Sequence, residues 1–135
     1  MSTCLVIANY PERDPWRIAV CEAITAVCGK YYDQVLPPSE NCKNYLEWNG
    51  HVKQADLVVG EVSEYSMENT WFGLRCAYDL GKPLILLRED RVRCLVDNGI
   101  PPVMPVEYQR TGGRGDDSQV IDLSKLIERL EMEKR

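Results

Sequence analysis

Histidine is almost missing from this chain: His51 is the only one in 135 residues. The six cysteines (Cys4, Cys21, Cys28, Cys42, Cys76 and Cys94) include no C-x-x-C pair. The ligand spacing of a zinc site is thus lacking, and no metal is expected. No apolar run reaches the ~18 residues a membrane span needs, so no membrane partner is expected. A basic surplus is absent too, with 16 Lys and Arg against 21 Asp and Glu and a net charge of −5. That balance argues against a nucleic-acid polymer as partner. It leaves one nucleotide open, because helix N-termini and hydroxyls can hold a phosphate in an acidic protein. Neither G-x-G-x-x-G nor a P-loop lysine occurs, which removes the Rossmann-dinucleotide and Walker-type readings, and no cofactor is expected. A secretory apolar stretch is lacking as well, so reduced thiols and a cytoplasmic location are expected.

What is present suits a globular chain. Hydrophobic residues make up 44% and charged residues 27%, enough apolar side chains for one core, and residues 1–135 read as a single domain. Cys4 to Ala8 is a continuous apolar run, as in a central parallel strand covered on both faces. Asp14-Pro15 is an N-cap followed by proline at the first helical position, and Trp16, Ala19, Ala23 and Val27 form a stripe that Gly29 stops. Tyr31 to Leu36 reads as a second strand and Asn41 to Gln54 as a helix. Asp56 to Val62 is the clearest strand. A helix over Asn69 to Leu80 carries Phe72, Cys76 and Leu80, ends at Gly81, and leads into a strand at Leu84 to Leu87. Arg91 to Asn98 reads as a short helix, Val103 to Tyr108 as a fifth strand, and Thr111 to Asp117 as a loop. A closing helix bears Val120, Leu123, Ile127 and Leu130. This alternation predicts an α/β fold with a five-stranded, mostly parallel sheet and helices on both faces, of flavodoxin or Rossmann-like type.

In such sheets ligands sit beyond the carboxyl ends of the strands. The stretch Ala55 to Leu87 places Glu61 near such an end, followed by a polar loop and a helix start containing Ser66, Asn69 and Thr70. These groups suit a phosphate or sugar hydroxyl. Tyr65, Trp71 and Phe72 could wall a base. Each also has a plainer reading: Glu61 as a strand-end ion pair, the hydroxyl and amide residues as helix caps, and the aromatics as core.

Gln54-Ala-Asp-Leu-Val-Val-Gly-Glu-Val-Ser63 and Ala77-Tyr-Asp-Leu-Gly-Lys-Pro83 resemble motifs of the nucleoside 2-deoxyribosyltransferase-like family, which includes the deoxynucleoside 5′-monophosphate N-glycosidases. Arg93 to Gly99 resembles a later family segment. The resemblance implies a nucleoside or nucleotide as small-molecule partner, chemistry at C1′ of a deoxyribose, and a homodimer or higher homo-oligomer. It implies Ser66 as a phosphate contact and Tyr10 as a site residue of the first loop. Family members attack C1′ with a helical glutamate and retain configuration through a glycosyl-enzyme. Counted back from Gly81-Lys82-Pro83, that position is Gly73; counted forward from Glu61, it is Phe72. A family aspartate eight residues before Asp56 falls on Trp48, and a family glycine falls on Arg75. Three expectations therefore stand side by side. Glu68 or Glu61 serves as the catalytic carboxylate, with Tyr10, Ser66, Asn69, Thr70 and Trp71 around the ligand. The chain binds a nucleotide-type ligand without cleaving it. Or it is an acidic assembly domain.

Overall fold

The computed structural model describes residues 1–8, 15–38, 45–62, 68–90, 103–111 and 120–134. In chain order these give β1 (Thr3–Ile7), α1 (Pro15–Cys28), β2 (Gln34–Leu36), α2 (Tyr45–Gln54), β3 (Leu57–Val62), α3 (Glu68–Asp79), β4 (Leu84–Glu89), β5 (Val106–Thr111), β6 (Val120–Asp122) and α4 (Ser124–Glu133). The strands form one sheet in the order β2-β1-β3-β4-β5-β6. Strands β1 to β5 run parallel, and β6 is antiparallel to β5.

The α/β expectation holds, but the five-stranded, mostly parallel sheet is corrected to a six-stranded mixed one. The added strand comes from the start of the segment read as one closing helix. Val120 and Ile121 pair with Thr111 and Arg110, and β-branched residues favour such a ladder. The helix begins only at Ser124, whose backbone N–H donates to Asp122 Oδ1 at 3.0 Å. Two other strands start later than expected. Tyr31 and Tyr32 close the last turn of α1, both donating to Cys28 O, so β2 keeps only Gln34–Leu36. Strand β5 starts past Pro105, where every residue again has an N–H to give the ladder. The expected helix at 91–98 lies outside the described residues.

Period-two alternation divides the strands between two apolar layers. Cys4, Val6, Leu57, Val59, Ile85, Leu87, Val106 and Tyr108 face α1 and α4, meeting Val20, Ile24, Cys28, Leu126 and Leu130. Leu5, Ile7, Val58, Val62 and Leu86 face α2 and α3, meeting Trp48, Val52, Leu74, Cys76 and Ala77. Helix α3 ends in a Schellman turn: Lys82 N–H donates to Ala77 O at 3.1 Å and Gly81 N–H to Tyr78 O at 3.0 Å. Gly81 sits at φ 69°, where a residue with a Cβ is strained. Because β1 is flanked by β2 on one side and β3 on the other, the topological switch point lies between β1 and β3.

Candidate functional site

Leu57, Val59 and Glu61 alternate along β3 on the face covered by α1 and α4, with Glu61 near the carboxyl end of the strand. Glu61 is fully buried. It forms an ion pair with Arg17, in the first turn of α1 and itself only 2% exposed. Arg17 Nη1 donates to Glu61 Oε1 at 3.4 Å, and Nη2 donates to Oε2. Tyr108 of β5 donates its hydroxyl to Glu61 Oε1 at 2.9 Å. Both carboxylate oxygens are therefore engaged by protein donors. Burial pulls the Arg17 pKa down, but the charge of Glu61 and its hydrogen bonds outweigh that and hold it above the ordinary arginine value. Burial, followed by the negative charge of Glu61, keeps the Tyr108 phenol protonated well beyond its usual range. The neighbouring Cys21 thiol is pushed up to about 12, chiefly by burial and against the opposing charge of Arg17. It is an inert thiol at neutral pH.

One strand further on, Glu89 of β4 is also buried. Arg110 of β5 donates through Nη2 to Glu89 Oε2 at 3.0 Å, and its guanidinium lies 3.6 Å from the ring centroid of Trp16. Glu89 and Tyr108 are register partners across β4 and β5. The two ion pairs thus form one polar layer over the ends of β3, β4 and β5, beneath the first turn of α1.

The other face, beside β1 and β3, is packed with apolar side chains. Trp48 of α2 is 5% exposed and lies directly on Gly73 of α3. A Cβ at Gly73 would stand 3.0 Å from the indole Cδ2 and Cε2 and 3.1 Å from Ile7 Cδ1. Glycine inside a helix costs about 1 kcal/mol relative to alanine; here it lets two helices and the end of β1 approach closely. Gly73 is one of the two positions, with the exposed Phe72, at which the resemblance expects the attacking glutamate, and Trp48 is the position of its expected aspartate. The departures at Gly73 and Trp48 are thus in mutual contact.

The remaining candidates are placed as follows. Glu68 and Asn69 are the first two residues of α3, on the opposite side of the sheet from the Glu61 carboxylate; their side chains lie outside the described residues. Thr70 is buried at 4% exposure. Trp71 is half-buried against the layer containing Trp48, as core aromatics are, while Phe72 is exposed. Tyr10 and Ser66 lie outside the described residues. Sequence reasoning missed Arg17, Tyr108, Glu89 and Arg110. The available signal was Arg17 itself, a charge in line with Val20, Cys21, Ile24 and Cys28 on the buried stripe of α1.

A pocket of about 110 Å³ opens between β5, β6 and α4, with Tyr108 in its lining. Its lining sets Asp90, Glu107 and Asp122 against Lys125, an excess of carboxylates that repels a phosphate. No cluster able to hold a metal ion occurs among the described residues, nor is any described helix long and apolar enough to cross a membrane. Comparison with known proteins finds no family model and no curated protein that matches the chain.

Proposed function

We propose that this chain binds a nucleoside or nucleotide at the carboxyl ends of β1 and β3 without cleaving its glycosidic bond. The observation that carries the reading is the Trp48–Gly73 contact. Of the two helical positions at which the family resemblance expects a nucleophilic carboxylate, Gly73 has no side chain and an indole fills the adjoining space, while Phe72 carries an aromatic ring with no acid to offer. Glu61 offers no replacement, because Arg17 and Tyr108 engage both of its oxygens inside the core. A nucleophile must reach the anomeric carbon, and even ~1 Å of misplacement can cost ~100-fold in rate. In favour of ligand binding stand the switch point between β1 and β3 and the start of α3 just beyond β3, a position where free N–H groups favour phosphate.

The test is a panel of nucleosides and their monophosphates, read by thermal shift and by chromatography for released base. The expected result is a raised Tm with at least one member and no free base; ligand at ~100 times Kd adds about 2.7 kcal/mol of stability. Base release that disappears in Glu68→Gln would instead establish an enzyme with a displaced nucleophile. The absence of any shift across the panel would remove the nucleotide reading altogether.

A further inference from the structure

We infer that Arg17, Glu61, Tyr108, Glu89, Arg110 and Trp16 act together as a latch that fixes the first turn of α1 over the ends of β3, β4 and β5, with Arg17 and Glu61 as positioning residues for the ligand held at that end. The ligand part of this inference rests on the nucleotide-binding reading above; the latch does not.

The argument begins with where α1 spends its charge. From Val20 onward its buried residues are Val20, Cys21, Ile24 and Cys28, which adhere to the sheet through non-directional apolar contact. Only the first turn replaces that with charge. Arg17 reaches Glu61 on β3, and Trp16 stacks on Arg110 of β5, which is tied to Glu89 of β4. Tyr108 joins the two halves by donating to Glu61 while its backbone is in register with Glu89. Stability alone does not account for this choice. A buried ion pair replaced by apolar residues of similar volume often leaves stability unchanged or improved, because desolvation offsets the Coulombic gain. What a forked guanidinium–carboxylate pair adds is direction: it admits one relative placement of its two backbones. That placement lies at the carboxyl end of the sheet, where a ligand of this fold sits. The other ends of β1 and β2 carry no buried charge among the described residues.

Two variants of the full chain separate positioning from stability. Glu61→Gln breaks the pair and leaves Arg17 buried beside a neutral amide. Arg17→Met/Glu61→Gln removes both charges and keeps the volume, and serves as the folded control should the single variant fail to fold. Amide hydrogen exchange is followed at Ala19 to Glu22, whose N–H groups bond the carbonyls of the first turn of α1 and so report its opening, and, as an internal reference, in α4. In the double variant exchange at Ala19 to Glu22 is expected to rise by about tenfold or more, with α4 unchanged and Tm close to wild type. Where wild type binds a nucleotide, the same double variant is expected to bind it about tenfold more weakly, an effect that a purely stabilising pair would not produce. Wild-type protection of these amides in the double variant overturns the latch, and unchanged Kd at unchanged Tm overturns the positioning role. Faster exchange in a chain that binds no nucleotide supports the latch while removing the functional reading.

Discussion

On the face covered by α1 and α4, the ends of β3, β4 and β5 present Glu61, Glu89, Tyr108 and Arg110; on the face covered by α2 and α3, the ends of β1 and β3 meet Val62 and the indole of Trp48. Side chains at both places are buried, yet by different means. The first is held by matched charges, whose loss leaves an unpaired ion in the core. The second is held by shape, with a glycine on one helix accepting the ring of the other. Charge thus lies on one side of the β1/β3 switch point and apolar packing on the other, and the apolar side is the one on which the sequence resemblance would put a helical carboxylate. The two faces should respond to injury in opposite ways.

The largest expected effect is on the charged face. Glu61→Ala strands the Arg17 guanidinium and is expected to cost about 3–5 kcal/mol in urea-induced unfolding, most of it recovered by adding Arg17→Met. If Arg17→Met gives no recovery, the pair is not the source of the loss. On the apolar face Trp48→Ala is expected to cost about 3–5 kcal/mol through the cavity it leaves. No removal of charge repairs that. Partial repair comes from Gly73→Ala, which in the Trp48→Ala background gains up to about 1 kcal/mol of helix propensity, with the ring gone and only the end of the Ile7 side chain left to shift. In wild type the same Gly73→Ala presses on the indole, and the gain is cancelled or reversed. Additive behaviour of Trp48 and Gly73 in this cycle would show that the two do not share a packing constraint.

Much of this comparison was readable in advance, unevenly. The apolar runs of β1 and β3 declared a two-faced parallel sheet, and Pro15, Gly29 and Gly81 marked helix ends where they are found. The sixth strand was not legible, because Val120 also continues the helical spacing of Leu123, Ile127 and Leu130, and only pairing with β5 decides between them. Glu61 stood out as a strand-end carboxylate, but its partner did not. A pair 44 residues apart leaves no local pattern, and Arg17 betrays itself only as a charge on the buried stripe of α1. Trp48 and Gly73 were each visible as departures from a family pattern. Their contact is a tertiary fact that no spacing rule contains.

A smaller effect tests whether Tyr108 belongs to the charged layer. Tyr108→Phe keeps the ring in its apolar surroundings and deletes one hydrogen bond to a carboxylate, so a loss of about 1.5–3 kcal/mol is expected. In the Arg17→Met/Glu61→Gln background, where the acceptor is a neutral amide, the loss should shrink toward the ~0.5–1.5 kcal/mol of an uncharged bond. Equal losses in both backgrounds would mean that Tyr108 contributes by packing rather than through Glu61.

The smallest effect lies at the opposite end of the sheet, where charge is exposed rather than buried. Asp33 Oδ2 accepts the backbone N–H of Ser2 at 2.9 Å and the Ser2 hydroxyl at 3.2 Å, tying the chain ahead of β1 to the entrance of β2. These bonds, the backbone one foremost, hold the Asp33 carboxyl below its usual range. The folded state therefore favours the ionised form. Its contribution is complete above the unfolded value of about 3.9 and fades as pH falls through the lower folded value. Asp33→Asn should lower Tm slightly and by a constant amount between about pH 5 and 8, with the gap closing as pH falls from about 4 through the lower folded value, where the wild-type carboxyl is itself neutralised. Raising salt should narrow the gap at neutral pH, since the group is open to solvent. The loss caused by Glu61→Ala, inside the core, should not respond to salt. A gap at Asp33 that survives unchanged at low pH would assign it to the geometry of the turn instead of the charge, and would remove the contrast in screening between the exposed and buried carboxylates.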